Sequence, residues 1–559
     1  MEKRFFLVFT MLSLLLSMGI PTQAASIVSS DTNSSEAGNN GIGRVEISTI
    51  PLPDEVKVLE SSTYTYSGKV LFIYKTENDI LTADFWNIGV FNDNGTNFKI
   101  IYSGVIPTKP KSPGIRIMPF QDNKRVLLGD YVLECSPNID NSLSTTLVPV
   151  EFPSILVDDS DTFKHWSEII IAPDNKHMSW TMLRSDIGAA AAIGVLERHT
   201  DNYVLEDVQL ISTIHALEND PNNPGFFIPK PLRGGEVKQF VKGGNAISIV
   251  GGMYYSTPDS LVQDLNSESV TQVTYTPGYN ETTIFSPDER LGMVMTTRFS
   301  EQTDPAIFGL MPRPYGIYTS TDMMYLLYTY AVTGVRNFRE GNIGPALIDI
   351  NRSMHQEGYQ GVQLTTDEDW VYYSPMSWHP NGKRTMWLEV LRGSDGSQKR
   401  VQKAKLLDYK PKKTVPLKPT TDDIPYGIKD LTVLDSVYGN VDGKIAGKHS
   451  GYLYYKRTGS SLFSGQSEVQ YVNFSDDGVN FYNGYEKTNS SLASESRYEA
   501  NVQLTGDKQG EMNFRATFSP MTGPTPASLL FDTDIDGKPK SYGYATYNGV
   551  TLNIEDLLE

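Results

Sequence analysis

The chain of 559 residues reads as all-β, and two observations carry that reading. Short runs of β-branched, aliphatic and aromatic residues, such as Lys69-Val70-Leu71-Phe72-Ile73-Tyr74 and Arg125-Val126-Leu127-Leu128, recur between clusters of Asn, Asp, Gly and Pro. Sustained 3.6-residue periodicity is scarce. A turn followed by an apolar strand also repeats at intervals that suit one four-stranded unit each. With 39% hydrophobic residues, 31 Tyr, 23 Phe and 6 Trp, the chain has ample apolar area for two or three packed domains and is not disordered throughout.

Residues 1–25 have the build of an export signal. Lys3 and Arg4 form a charged start, Phe5 to Ile20 an apolar run, and Pro21-Thr22-Gln23-Ala24-Ala25 a small-residue cleavage region. The other reading, an uncleaved anchor, has an apolar run of 16 residues against the roughly 20 of a spanning helix. No cysteine follows it to accept a lipid. Cleavage after Ala24 leaves 46 basic and 65 acidic residues, a net charge of −19. The expectation is an exported protein, periplasmic or extracellular, with no transmembrane span after cleavage. The single cysteine, Cys135, cannot form an internal disulfide, so a large core must hold the mature chain, as suits a bacterial exporter. Residues 26–43, rich in Ser, Asn and Gly, read as a flexible tether.

Four copies of the repeat align without gaps. They are Pro119-Phe120-Gln121-Asp122-Asn123-Lys124-Arg125, Ala172-Pro173-Asp174-Asn175-Lys176-His177, Ser286-Pro287-Asp288-Glu289-Arg290-Leu291 and His379-Pro380-Asn381-Gly382-Lys383-Arg384. Weaker copies lie at Ser67-Gly68-Lys69 and Gly243-Gly244-Asn245, with a seventh candidate at Thr321-Asp322. Pro sets the first corner, and Asp, Asn and Gly accept the bent conformations after it. Anchored at 67, 122, 174, 243, 288, 322 and 381, the spacing averages about 52 residues, near the ~40–50 of one four-stranded blade.

Ser-Pro-Asp followed by a strand resembles the TolB-type β-propeller repeat. Ser286-Pro287-Asp288, Ala172-Pro173-Asp174 and His379-Pro380-Asn381-Gly382-Lys383 look like three copies of it. The resemblance covers roughly 60–410, with Asn175 and Glu289 standing where that family's repeat has Gly. It implies a six- to eight-bladed β-propeller over residues 44–408. It implies no reaction, because such propellers serve as periplasmic scaffolds, peptidase gating domains and polysaccharide lyases alike.

Within that span Gly188 to Ile193 suits either a helical turn or a tightly packed strand, and Met323 to Val332 reads as a buried strand or two. Residues 409–429 read as a Pro- and Lys-rich linker. Residues 430–559 lack the repeat but keep strand-like runs such as Val469-Gln470-Tyr471-Val472-Asn473-Phe474. They are expected to form a smaller C-terminal β-sandwich or barrel.

The charge balance excludes several functions. A chain this acidic offers no clustered basic face for nucleic acid outside the lysines of 410–418. There is no G-x-S-x-G elbow; Gly447-Lys448-His449-Ser450-Gly451 has the wrong spacing, and no α/β region follows that could hold a peptidase. The seven histidines form neither H-x-H nor H-E-x-x-H. Residues at the start of each innermost strand, a few positions before the turn, would build the mouth of a central funnel. That logic selects His165, Trp166, Asn280, Glu281, Tyr373 and Ser374 for stacking on and hydrogen bonding to a sugar, with packing between blades as the other reading. His177 and His379 sit in or beside the turn and read as structural. Asp532-Thr533-Asp534-Ile535-Asp536-Gly537 opens like an oxygen-ligand Ca²⁺ loop, with Asp532, Asp534 and Asp536 as the ligands. Its twelfth position is Gly543 rather than Glu, so the choice lies between a calcium loop in a β setting and an acidic hairpin turn. Two functions follow as expectations: a binding or scaffold protein with a protein or carbohydrate ligand at the funnel, or a metal-assisted carbohydrate lyase or hydrolase using His165 with Glu281.

Overall fold

A computed structural model of the chain describes residues 26–28, 41–107, 116–153, 162–163, 168–184, 188–212, 218–228, 235–255, 257–275, 278–300, 311–314, 328–394, 396–430, 440–461, 464–520, 522 and 528–557. The export-signal reading falls on residues 1–25, which lie outside them, as does the seventh repeat candidate at Asp322.

The described chain is predominantly β, in small antiparallel sheets that follow one another in sequence, an arrangement consistent with a propeller-like fold. The first sheet is Val58–Tyr64, Val70–Lys75, Phe85–Phe91 and Lys99–Val105; the second is Ile117–Pro119, Arg125–Leu128, Tyr131–Ser136 and Ser144–Glu151. The third begins with Ile169–Ile171 and continues through His177–Arg184, Gly188–Arg198 and Tyr203–Ser212, and a short parallel pairing of Val150 and Glu151 with Tyr203 and Val204 joins it edge to edge with the second. The fourth holds Val237–Val241, Ala246–Gly251, Asp259–Asp264 and Val270–Gln272, and the fifth Asn280–Phe285, Leu291–Thr296, Ala346–Asp349 and Val362–Gln363. The sixth takes Trp370–Trp378, Arg384–Leu391 and Lys399–Leu406 from one part of the chain and Val45–Thr49 from its beginning, with Val45 opposite Leu406 and Thr49 opposite Gln402. That pairing ties the two ends of the sheet series together.

The repeat is the turn between the first and second strands of each sheet. In all six described copies the residue after the Asp-like position has positive φ: Gly68 (φ 85), Asn123 (φ 55), Asn175 (φ 64), Gly244 (φ 113), Glu289 (φ 53) and Gly382 (φ 65). The turn therefore demands the conformation, and Gly and Asn supply it at least cost. The Asp-like side chain then accepts the backbone N–H two residues on, from Lys124 at 2.8 Å, Lys176 at 2.9 Å, Arg290 at 3.3 Å and Lys383 at 2.9 Å. The fourth copy keeps the same frame: Val241 pairs with Ala246, as Ala172 does with His177, so Gly243 stands where the other copies have Asp or Asn.

Two local expectations resolve here. Gly188–Arg198 is a strand, with Ala190, Ala191 and Ala192 fully buried between its neighbours. Of Met323 to Val332, residues 323–327 lie outside the described residues. Tyr328–Gly334 is a wide helical turn running into a short α-helix, Val335–Asn337, and not a strand. Tyr330, Ala331 and Val332 are buried, and an apolar run buried on all sides carries no period that separates helix from strand. Among the described residues no helix is long and apolar enough to cross a membrane.

The C-terminal region is one eight-stranded meander: Val441–Ala446, Ser450–Ser461, Ser464–Ser475, Asn480–Ser490, Ser496–Gly506, Gly510–Phe518, Tyr542–Tyr547 and Val550–Asn553. The expected sandwich or barrel is replaced by this single sheet. Alternation puts Leu453, Tyr455, Val469, Tyr471, Val502 and Phe514 on one buried face. Segments inserted between strands of the preceding sheets contact it. Tyr330 meets Phe518 edge to face at 5.7 Å, the Tyr482 hydroxyl donates to the carbonyl of Pro312 at 2.7 Å, and Arg313 pairs with Glu486 at 3.0 Å.

Candidate functional site: the central channel

The first strands of all six sheets line a common cavity of about 360 Å³. Its wall is apolar in the middle, where Met118, Ile171, Phe240, Ile284, Met376 and Trp378 face one another. The two ends differ in chemistry.

At the end where the inner strands begin, five charged side chains converge. The Lys238 ammonium donates to Glu168 at 3.1 Å, Glu236 at 2.5 Å and Glu281 at 2.9 Å, with its own side chain 1% exposed. Arg116 pairs with Glu168 at 3.2 Å, and the Tyr279 hydroxyl donates to the second oxygen of Glu281 at 2.8 Å. Two cations thus face three carboxylates. Burial pushes all three carboxyls upward, but the Lys238 and Arg116 charges hold Glu168 well below the usual carboxylate range, and Lys238 keeps Glu281 low. Glu236 receives what is left. Burial, together with the negative charges of Glu168 and Glu281, pushes it up to about 7 despite Lys238. Arg116 is the other unfinished member, because its buried Nε makes no hydrogen bond and its Nη1 has only the ion pair to Glu168. Tyr372, pushed up to about 12 by burial, stands on the same wall with its hydroxyl 3.2 Å from Ser374 Oγ.

Of the sequence-selected residues, Glu281 belongs to this cluster and Ser374 lines the cavity. Asn280 does not reach it. Strand alternation turns its amide away to donate to Asp259 at 3.1 Å and to accept from Thr296 at 2.7 Å and Arg298 at 3.1 Å. Tyr373 is likewise turned from the cavity, its ring carrying Lys399 at 4.7 Å and Arg336 at 5.0 Å. His165 and Trp166 lie outside the described residues. Arg116, Glu168, Glu236 and Lys238 were missed, although a signal for them existed. Glu168 and Arg116 each stand six residues before the Asp of their repeat turn, so a fixed offset from the turn finds them.

Three carboxylates around one point also raise the question of a metal. The Lys238 ammonium already occupies the centre that they share. Among the described residues no group of three or more His, Cys, Asp or Glu is placed to hold an ion. The loop at Asp532, Asp534 and Asp536 is a hairpin turn, closed by the Gly537 N–H donating to the Asp534 carbonyl at 3.0 Å. Lys540 pairs with Asp532 at 2.9 Å, Arg497 with Asp534 at 2.5 Å and Arg515 with Asp536 at 3.2 Å. Its carboxylates therefore carry their counter-charges within the protein.

At the other end, where the repeat turns lie, residues 409–424 cross the channel. The segment expected as a linker is a strap tied to the turns. Asp288 accepts from the Tyr409 hydroxyl at 2.8 Å and from the Lys412 N–H at 2.9 Å. Val415 N–H donates to Pro287 and Lys418 N–H to Gly243. Thr420 N–H reaches Asp174 at 3.1 Å, and Asp422 closes on His177 Nε2 at 2.9 Å. His177 is thus held between Asp174 and Asp422, the structural place read for it, while His379 packs edge to face on Tyr64 at 5.0 Å. Gly243 is required twice over. Its φ is 71°, and an added Cβ would lie 2.3 Å from the Pro416 carbonyl. Thr414, Val415 and Leu417 of the strap line the cavity from this side.

No protein-family model matches the chain, and no curated protein matches it in sequence. Among solved structures, it is similar to TolB from Acinetobacter baumannii, at 13% identity and a TM-score of 0.33, over 61% of this chain and 64% of that one. A streptogramin B lyase aligns at 13% identity and 0.30 over 67% of this chain and all of that one. A prolyl endopeptidase aligns at 9% identity and 0.30 over 83% of this chain and 54% of that one. These are distant likenesses to β-propeller proteins.

Proposed function

We propose that this chain is an exported, six-bladed β-propeller followed by a C-terminal β domain, and that it binds a segment of a partner protein in its central channel. The observation that carries the reading is the channel itself. An apolar wall drawn from six strands ends in a ring of five charged groups, two of them, Arg116 and Glu236, with bonding capacity left over. Apolar surface offers affinity, and a few convergent polar groups give orientation. A protein segment presents both kinds of group along one strand, which suits this wall better than a sugar chain does. A metal-assisted carbohydrate enzyme is less well supported, because the carboxylates close on Lys238 and leave no shared space between them for a substrate atom.

The test is selection of displayed random peptides on the mature protein, set against Arg116→Ala/Glu236→Gln. Peptides enriched by the wild type and lost on the variant, with the variant's melting temperature kept, support the channel as the site. Equal enrichment on both proteins, or none on either, overturns it.

A further inference from the structure

The repeat turn sorts its charges. Its Asp or Asn is folded inward to accept backbone N–H groups, whereas the basic residue two positions later is left outside. Lys124 and Lys383 are exposed in this way, and Lys69 is half-exposed at the equivalent position of the first sheet. The strap adds Lys410, Lys412, Lys413 and Lys418, all exposed, over the same end of the channel. Among the described residues none of these lysines pairs with a carboxylate. The acidic groups of this end take hydrogen bonds from the fold and not from these lysines: Asp122 from Arg125, Asp140 from Ser67 and Asn123, Asp174 from His177, Asp288 from Tyr409 and the strap backbone, and Glu289 from the Gly243 N–H; these five are fewer than the seven lysines. Lys176 is neutralised by Asp422 at 3.6 Å and Lys242 by Asp264 at 3.2 Å, so they are not counted.

A chain with a net charge of −18 thus carries unpaired cations gathered around one end of its channel. Because fields are screened over about 8 Å at physiological ionic strength, carboxylates elsewhere on the molecule do not cancel that end. The lysines sit on the tips of separate turns and along a strap that crosses them. Cations distributed over several turns and a strap suit an extended anionic surface better than a single pocket-bound anion.

We propose that the turn end of the channel, with its strap, is a docking face for an anionic lipid surface. Attraction of this kind needs no pocket. It grows with each basic residue brought to the headgroups and fades with salt. Docking would leave the opposite, charged end of the channel facing away from the bilayer.

The test is co-sedimentation of the mature protein with phosphatidylcholine vesicles, with and without phosphatidylglycerol. Binding is expected only with the anionic lipid, at low salt, and is expected to vanish at high salt. Each lysine removed should lower the partition coefficient about fivefold. Lys124→Gln/Lys383→Gln, which leaves the strap untouched, should therefore cost about 25-fold, and Lys410→Gln/Lys412→Gln/Lys413→Gln should cost more. A double variant that binds like the wild type overturns the proposal, as does absence of binding at low salt. Binding to soluble polyphosphate but not to vesicles would assign the face to a linear polyanion and overturn it equally.

Discussion

Two buried ionic clusters, one in the channel and one on the C-terminal sheet, are made from the same residue types and finish differently. On the sheet, Arg313 and Glu486 are each 1% exposed and pair at 3.0 Å. The remaining capacity of Glu486 is taken by the hydroxyls of Tyr471 at 2.8 Å and Tyr498 at 2.6 Å. In the channel, three carboxylates share Lys238, Arg116 pairs with one of them, the Glu236 side chain keeps 27% exposure, and the Arg116 Nε has no partner. A satisfied network fixes one segment against another, whereas an unsatisfied one beside a cavity is available to a ligand. That contrast separates the structural cluster from the candidate site more sharply than residue identity does.

The largest effect is expected where a charge is stranded. Lys238→Met leaves Glu168, Glu236 and Glu281 facing one another, and should cost about 3–5 kcal/mol near neutral pH. The loss should shrink toward pH 5 as the carboxyls take up protons. Urea unfolding at the two pH values measures it, and an unchanged midpoint would show that the cluster is hydrated. Arg313→Met should cost somewhat less, about 2–4 kcal/mol, because Tyr471 and Tyr498 still donate to Glu486. The same unfolding experiment reads it out.

Glu236 gives the channel cluster a pH signature of its own. Its folded value, about 7, lies above the ~4.3 of an unfolded glutamate, so the folded state keeps a proton that the unfolded state has released. Stability is therefore lost as the pH rises from about 4.3 to about 7, and not regained above it. Glu236→Gln should remove that slope, melting like the wild type at the acid end and at a higher temperature near pH 8. Equal pH dependence in the two proteins would place the raised carboxyl elsewhere. The smallest change is expected from Arg116→Met, about 1 kcal/mol by denaturant unfolding, since Lys238 still pairs with Glu168 at 3.1 Å and the unpartnered Nε is removed with the charge. A cost like that of Arg313→Met would mean that both clusters are structural, and the comparison would collapse.

The legible parts of the molecule were local. The turns betrayed themselves because Pro, Asp and Gly or Asn are needed wherever a tight turn passes through positive φ, and Glu289 is tolerated at φ 53 by the same frame. The site was legible in part. The offset from the turn found Glu281 and Ser374, but one residue of strand alternation sent Asn280 and Tyr373 to other faces. The strap reads as a linker in sequence because its prolines deny it a central strand. Nothing local showed that its N–H groups would end on Asp288, Pro287 and Gly243.

By itself, then, the sequence determined the strand class, the repeat and its turn chemistry, since these depend on residues within a few positions of one another. Only the tertiary structure decided which charges meet. Arg116, Glu168, Lys238 and Glu281 are brought together by strands of four different sheets. The pairing of Val45–Thr49 with Lys399–Leu406, like the covering of the C-terminal sheet by inserted segments, joins residues far apart in the chain. Such contacts follow from where strands stack in space, and neighbouring residues carry no record of them.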